Sequence, residues 1–492
     1  MSEAKPSSTG RLAGSKSPSY IRAISIPEAR ASVFTAQYML ASDLAYVLTA
    51  AQLKFTPVGS ARNLVTALLS LIDDLDSKDT SMPPGDVVAQ REAWIAGMVG
   101  KQDAAWLHLG RNRGESLRCY LPRMFFRQTL HDEGSPLAQL LSNLIKRAAP
   151  VLEAVSPNYH HLQHSGLTTL GEYLLSWAAV FERHVERLQQ ADRRLDTGPS
   201  IFGCRAELKK LYDGVGKKLG FSRRTALRRD GIWVHDQFTE PFFVLTLIAV
   251  DLARLAQDLR VWMTPEFGFI DLADEHAGGS SALPHAKVPF GLQSVIGGGM
   301  IATTRLAGEM AAACNLSEGS EPLYQSASLY QLSEDILAWT QYMADIVEKA
   351  SFDLDEMRRK ATLDYAGSSE AHDRLVFDFG VPFRIGHRVL GGMIRAHHLG
   401  EPIPDLKQVL KAETGRDIDV DQDEIMDIVL GRRIWPTTFD PQMLRDTLSA
   451  FEQKALAVSR TYDEPSRVRQ AIDSLLREAR AWAAQGAPQT TT

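Results

Sequence analysis

The sequence has little of what would narrow its chemistry at once. Its 492 residues include 3 cysteines, Cys119, Cys204 and Cys314, far apart in the chain. An odd, sparse set argues against a disulfide framework and fits a reducing compartment, so a cytoplasmic location is expected. No Cys-x-x-Cys pair suggests a metal. No apolar run is long enough to cross a bilayer. The most hydrophobic stretch, Phe242 to Val250, stops at Asp251 and reads as a buried helix. The formal charge of −6 is modest for this length and gives no reason to expect nucleic acid or a membrane as partner. Basic clusters are short, as at Arg223-Arg224 and Arg228-Arg229, the pattern of solvated helix faces. There is no internal repeat, and period-two strand patterns are few and short.

What is present is helical periodicity. Leu170, Leu174, Trp177, Phe181, Val185 and Leu188 recur at spacings of three and four, with Thr168 and Thr169 as caps before them. Phe242 to Trp262 is apolar nearly all round at its start, which suits the middle of a bundle. Met300 to Ala313 and Leu329 to Val347 read as further long helices. The expected fold is all-α, and the length suggests two or three domains. Residues 1–19, rich in Ser, Gly, Pro and Lys, read as a disordered tail rather than a secretory signal. Residues 20–115 read as an N-terminal helical domain, broken at Met82-Pro83-Pro84-Gly85. Residues 116–370 form the expected central long-helix domain. Composition changes after Gly367-Ser368-Ser369, so 371–470 is expected to be a small C-terminal helical domain, and 471–492 a final helix and tail. The central helices are too apolar for a monomer to hide easily, so oligomerisation is expected, with a monomeric helical protein as the alternative.

Two segments carry candidate chemistry. Thr264-Pro265-Glu266-Phe267-Gly268-Phe269 reads as a helix end and a stiff connector. Gly278-Gly279-Ser280-Ser281-Ala282-Leu283-Pro284 reads as a flexible loop with two hydroxyls at its tip. The glycine pair relaxes the backbone limits, and Pro284 fixes the far side of the turn. A mobile loop carrying a serine suits a residue that reaches a substrate and then shields it from water. On those residues alone, a Gly-Ser linker is the competing reading. The cluster His160, His161 and His164 invites a zinc reading, but a third ligand and a carboxylate motif are absent, so no metal is expected.

With these segments, others resemble the fumarase/aspartase superfamily, and within it the argininosuccinate lyases. Asn158-Tyr159-His160-His161-Leu162-Gln163 is similar to the family's Gly-Tyr-Thr-His-Leu-Gln region. Leu107-His108-Leu109-Gly110-Arg111-Asn112-Arg113 is similar to Leu-His-Thr-Gly-Arg-Ser-Arg. Gly380-Val381-Pro382-Phe383-Arg384 with His387 resembles the start of the small C-terminal domain. The matches fall in the family's order from about residue 20 to about residue 460. The resemblance implies three helical domains, a long central bundle that builds a homotetramer, and active sites assembled from three subunits. It implies a cofactor-free, reversible β-elimination that releases an amine and leaves fumarate. It assigns Ser280 as the base and His161 as the proton donor to the leaving group. Arg113, Asn112, His160, Gln163, Ser281 and Lys287 are then expected to hold the substrate.

The resemblance also has departures. The family loop continues Met-Pro-x-Lys-x-Asn-Pro, where this chain runs Leu283-Pro284-His285-Ala286-Lys287-Val288-Pro289. Ala286 and Val288 thus replace a lysine and an asparagine that hold the reacting carboxylate, and Lys287 lies one place along. Losing one preorganised donor costs ~10²–10³ in rate. Gly114 replaces an asparagine, and Gln293 a glutamate paired with the histidine. Ala312, Ser317 and Ser320 stand where the relatives bind the arginine end of their substrate. The expectation is a carbon–nitrogen lyase acting on a small dicarboxylic acid and an amine, on a substrate other than argininosuccinate. The alternatives are a catalytically impaired relative of the same fold and a cycloisomerase.

Overall fold

The computed structural model describes residues 16–77, 87–111, 119–198, 206–227, 230–231, 235–314, 323–433 and 440–485. The principal helices are α1 (Ile26–Gln52), α2 (Val58–Ser77), α3 (Val87–Val99), α4 (Leu121–Ala148), α5 (Leu170–Leu195), α6 (Ala206–Lys218), α7 (Asp236–Trp262) and α8 (Phe290–Cys314). They continue with α9 (Leu323–Lys349), α10 (Leu354–Lys360), α11 (Ser368–Phe377), α12 (Phe383–Leu399), α13 (Leu406–Thr414), α14 (Gln422–Val429), α15 (Pro441–Asp463) and α16 (Arg467–Ala484). The chain is all-α, as its periodicity predicts, apart from short two-stranded pairs. Among the described residues no helix is long and apolar enough to cross a membrane.

The predicted stripe on α5 is the buried one: Leu170, Leu174, Trp177, Phe181, Val185 and Leu188 all face the core. α4 packs along α5 and α9, and α7 along α5 and α8. Phe242, Leu245, Ile248, Leu252, Leu255 and Leu259 of α7 are buried in the same cluster. Each such side chain contributes about 1.5–3 kcal/mol of burial. A second, separate core joins α11 to α14 through Leu375, Val389, Met393, Leu410, Ile425 and Val429.

α8 behaves differently from its neighbours. A Cβ on Gly298 would lie 2.4 Å from the Trp339 ring, and one on Gly299 would lie 2.8 Å from Ala253. These two glycines let α8 lie close against α7 and α9. Its other side leaves Phe290, Met300, Ile301 and Met310 exposed. The helix is apolar along most of its length, yet one chain buries only part of it.

One stretch that carries candidate site residues is not helical. Asn158 to Gln163, with its two adjacent histidines, lies in a β-hairpin of β1 (Val155–His160) and β2 (Gln163–Thr169). The sequence hides this hairpin for physical reasons. Pro157 occupies one strand, and the register shifts between Asn158 and Tyr159, leaving Ser165 as an extra residue opposite them. That bulge breaks the period-two pattern that marks a strand.

Two buried acids, Asp43 and Glu133, are satisfied differently. Asp43 is fully buried and receives Arg91 at 2.6 Å and also Arg111. Burial works against its carboxylate, but the Arg111 and Arg91 guanidiniums outweigh it and hold the carboxyl below its usual range. Glu133 on α4 is buried with only the Thr340 hydroxyl of α9 on one oxygen, at 2.5 Å, and no hydrogen-bond partner on the other. Burial therefore pushes its carboxyl up to about 8, against a small opposing pull from Thr340.

A raised acid binds its proton more tightly in the folded state. The contribution of Glu133 is therefore full below the unfolded carboxyl range and is lost as pH climbs through about 8. Glu133→Gln keeps the acceptor for Thr340 and removes the ionisation. Urea unfolding at pH 5 and pH 8 is expected to show the variant gaining on the parent at pH 8, by on the order of a few kcal/mol.

Candidate active site

The hairpin turns on two residues, His161 and Leu162, with φ of 53° and 59°. Two left-handed residues in succession define the turn whose twist matches a hairpin, and Asn-Gly is its usual sequence. Here neither residue is glycine, and each costs roughly 1–2 kcal/mol. The base of the hairpin holds them there. The Tyr159 ring lies 5.1 Å from the Phe267 ring and 6.2 Å from that of Phe269. His164 Nδ1 stands 2.9 Å from the Leu363 carbonyl, and Nε2 stands 3.1 Å from the Tyr159 hydroxyl. A carbonyl only accepts, so Nδ1 carries the hydrogen and Nε2 accepts from Tyr159. Burial first, then Asp364 and Glu356, pushes the Tyr159 hydroxyl up to about 12, so it stays a donor. At the far end, Thr169 Oγ1 accepts Glu172 N–H at 3.0 Å, and Thr168 donates to the Glu172 carboxylate at 2.7 Å. This capping arrangement starts α5 directly where β2 ends.

The hairpin tip presents His160, His161, Leu162 and Gln163 to solvent. The two imidazoles stand edge to face with centroids 4.4 Å apart. Gln163 Nε2 donates to the Leu162 carbonyl at 3.3 Å. Beside them lies a cavity of about 280 Å³ walled by Tyr159, Gln163, His164, Phe267 and Lys360. His164, grouped with the other two in sequence, is turned away from them into this framework. Among the described residues no three His, Cys, Asp or Glu side chains are placed to hold a metal ion.

The serine segment is built on a second small hairpin. α7 ends at Trp262, and Gly268, with φ of 67°, turns the chain so that Phe269 N–H returns to the Trp262 carbonyl at 2.9 Å. Ile270–Asp271 pairs with Ser351–Phe352, and Gly278–Gly279 pairs with Lys287–Val288. Between the latter strands lies the loop. Ser280 Oγ accepts Ala282 N–H at 3.3 Å and Leu283 N–H at 3.1 Å. Ser281 to His285 are exposed. Lys287 Nζ lies 3.1 Å from Asp271 and 3.0 Å from Asp274. Hydrogen bonds to Asp274 and then Asp271 raise its ammonium above the usual lysine range. The Asp274–His276 turn is itself tied down, because the Tyr342 hydroxyl donates to the His276 carbonyl at 2.8 Å and Lys349 pairs with Glu275 at 2.5 Å.

The structure thus gathers the expected residues into two groups. His160, His161 and Gln163 share the hairpin tip, and Ser280, Ser281 and Lys287 share the loop. Among the described residues no hydrogen bond, ion pair or ring contact joins the two groups within one chain. Asn112 and Arg113 lie outside the described residues, as do Gly114, Ser317 and Ser320. The preceding Arg111 is fixed by Asp43 and stacks on the Tyr46 ring, 4.4 Å from its centroid. Gln293, in the first turn of α8, accepts from Arg260. Sequence reasoning missed Asp43, Asp271, Asp274 and Glu370, all of which hold site segments in place.

The chain is similar to known proteins. A family described as lyase matches residues 68–301. An argininosuccinate lyase of Mycobacterium sp. (strain MCS) is 31% identical over 346 residues, covering 67% of this chain and 72% of the relative. The argininosuccinate lyase of Methanocorpusculum labreanum is 27% identical over 408 residues, covering 80% and 81%. Among solved structures, an EDDS lyase variant with bound fumarate superposes with a TM-score of 0.79 at 20% identity over 96% of each chain. The chain belongs to the lyase family of the fumarase/aspartase superfamily. Within it, the chain is similar to argininosuccinate lyases, and it is a lyase enzyme.

The strain at the turn is open to direct measurement. Leu162 is 63% exposed, so little packing is lost on its removal. Leu162→Gly relieves one left-handed residue, and denaturant unfolding is expected to show a gain of about 0.5–1 kcal/mol after the extra chain entropy of glycine is subtracted.

Proposed function

We propose that this lyase catalyses reversible β-elimination of an amine from a succinyl-type acid, giving fumarate, or the reverse addition, on a substrate other than argininosuccinate. The observation that carries the reading is the pair of backbone N–H groups aimed at Ser280 Oγ. A free serine is a weak base. Donors directed at its oxygen favour the alkoxide and make proton abstraction feasible. Ser280 takes the proton from the carbon beside a substrate carboxylate, and the electron pair moves into that carboxylate as a dianion. The carbon–nitrogen bond then breaks as the double bond forms. The leaving amine takes a proton from His161, with His160 beside it, an imidazole suiting that exchange near neutral pH. Bound fumarate in the similar EDDS lyase supports the product side of this scheme.

The acidic end of the substrate is held by Arg113, Asn112, His160, Gln163 and Ser281. Lys287 joins them by leaving Asp271 and Asp274 when the loop closes. Ala286 and Val288 leave the loop poorer in anchors than its relatives, and Ala312, Ser317 and Ser320 leave nothing that grips a guanidino group. That supports a different amine. No residue set calls for a cofactor.

The separation of the two groups within one chain supports assembly of the site between copies. Ser280 of one subunit then meets His161 of the partner subunit in a homotetramer, and the exposed Phe290, Met300, Ile301 and Met310 of α8 are the surface such copies would cover. The 3 scattered cysteines suit a cytoplasmic protein.

The test is turnover. Fumarate with a panel of amines is followed by ultraviolet loss of the double bond. Ser280→Ala is expected to lower kcat at least about 10²-fold with the assembly intact. Equal rates in parent and variant, or no reaction with any amine, would overturn the scheme. Met300→Lys with Ile301→Lys is expected to lower the sedimentation mass below that of the parent assembly. An unchanged mass would remove α8 from the interface.

A further inference from the structure

β1 and β2 form a two-stranded sheet, and among the described residues no strand lies beside the outer edge of β2. An open edge leaves backbone N–H groups that need acceptors. Leu167 is buried with Ala361 and Ala366, with Val155 packed against them. Its N–H donates to Glu370 Oε1 at 3.0 Å. Glu370 stands in the first turn of α11, whose other side belongs to the second core.

The contact does not stop at one residue. Ser165, the extra residue of the bulge, approaches the Ser369 hydroxyl with its carbonyl at 3.5 Å. Between them, Gly166 has φ of 140°, and a Cβ built on it would lie 3.5 Å from Glu370 Oε1. The start of α11 thus meets Ser165, Gly166 and Leu167 in succession. Bulges re-aim the strand that carries them, and this one is held at the point where the strand bends. Glu370 Oε2 is buried with no hydrogen-bond partner. Burial raises the carboxyl above its usual range, while the Leu167 N–H pulls the other way. A carboxyl satisfied on one oxygen is a costly way to gain stability. As a locator of one backbone amide it is specific.

We propose that Glu370 is a positioning residue for His161, holding the bulge of β2 so that the tip presents the His160–His161 pair in one direction. The catalytic half of this proposal rests on the lyase reading above, and the structural half does not. Leverage makes the effect large. Leu167 lies opposite Pro157, four residues from His161, so at about 3.3 Å per residue the arm is about 13 Å long and a tilt of about 5° moves the imidazole by about 1 Å. A misplacement of that size can cost about 10²-fold in rate.

The experiment compares full-length Glu370→Ala with Glu370→Gln, whose amide keeps an acceptor for Leu167. Amide hydrogen exchange over residues 155–169 is expected to speed up about tenfold in Glu370→Ala and to stay within about twofold of the parent in Glu370→Gln, with α7 unchanged in both. In turnover of fumarate with an amine that the parent accepts, kcat is expected to fall about 10- to 100-fold in Glu370→Ala with little change in KM, and Glu370→Gln to recover most of it. Unchanged hairpin exchange in Glu370→Ala, or equal disturbance by Glu370→Gln, would overturn the proposal. A parent that turns over no amine defeats the lyase scheme alone, because the exchange comparison still decides the role of Glu370. If Glu370→Ala does not fold, Glu370→Asp, one methylene short of the Leu167 amide, replaces it in the same comparison.

Discussion

Two left-handed residues in succession, His161 and Leu162, are the constraint around which the candidate site is arranged. At the exposed tip itself they have only the Gln163 amide on the Leu162 carbonyl and the His160 ring beside His161. The compensation lies at the base. There the Tyr159 ring joins Phe267 and Phe269, His164 bridges the Leu363 carbonyl and the Tyr159 hydroxyl, and Leu167 packs with Ala361 and Ala366. Each hydrogen bond contributes only about 1 kcal/mol net. Several such contacts from three different parts of the chain outweigh a turn that costs a few. Strain of this kind persists where the surroundings over-determine it, and it gathers at functional sites.

The serine loop follows the opposite logic. Its base is tied to α9 through Tyr342 and Lys349, while its tip is held mainly by its own backbone. Lys287 sits between two carboxylates that are 63% and 99% exposed. Ion pairs so open to water contribute about 0–1 kcal/mol, and salt screens them. In the proposed scheme, Lys287 therefore exchanges Asp271 and Asp274 for a substrate carboxylate at small cost. A buried pair such as Asp43 with Arg91 has no such freedom, because breaking it strands charge in the core.

The helices were legible in the sequence because their signal is local. The α5 stripe, the Thr169 cap and the turn after Trp262 all depend on residues within a few positions of one another. The hairpin was not legible, because Pro157 and the bulge at Ser165 erase the alternation that a strand needs. The residues that hold the site in place were hidden for another reason. Arg111 meets Asp43 from 68 positions away, and Glu370 meets Leu167 from 203. No periodicity announces such pairs. Ser280, His161 and Lys287 could be singled out, but their surroundings could not: Lys287 faces two aspartates, and Ser280 faces its own loop amides. The apolarity of α8 was plain, whereas which side a single chain leaves bare depends on Trp339 and Ala253 fitting over its glycines.

The junction between β2 and α5 has a consequence for how a small molecule gets in and out. Thr169 ends the strand and caps the helix in the same residue, and Leu170 N–H closes back on the Ala154 carbonyl at 2.9 Å. No spare residue separates the two, so the β2 arm has no hinge where it joins the bundle. In the proposed scheme, traffic through the site is left to the loop beyond the glycine pair at 278 and 279, and the hairpin serves as the fixed jamb against which that door shuts.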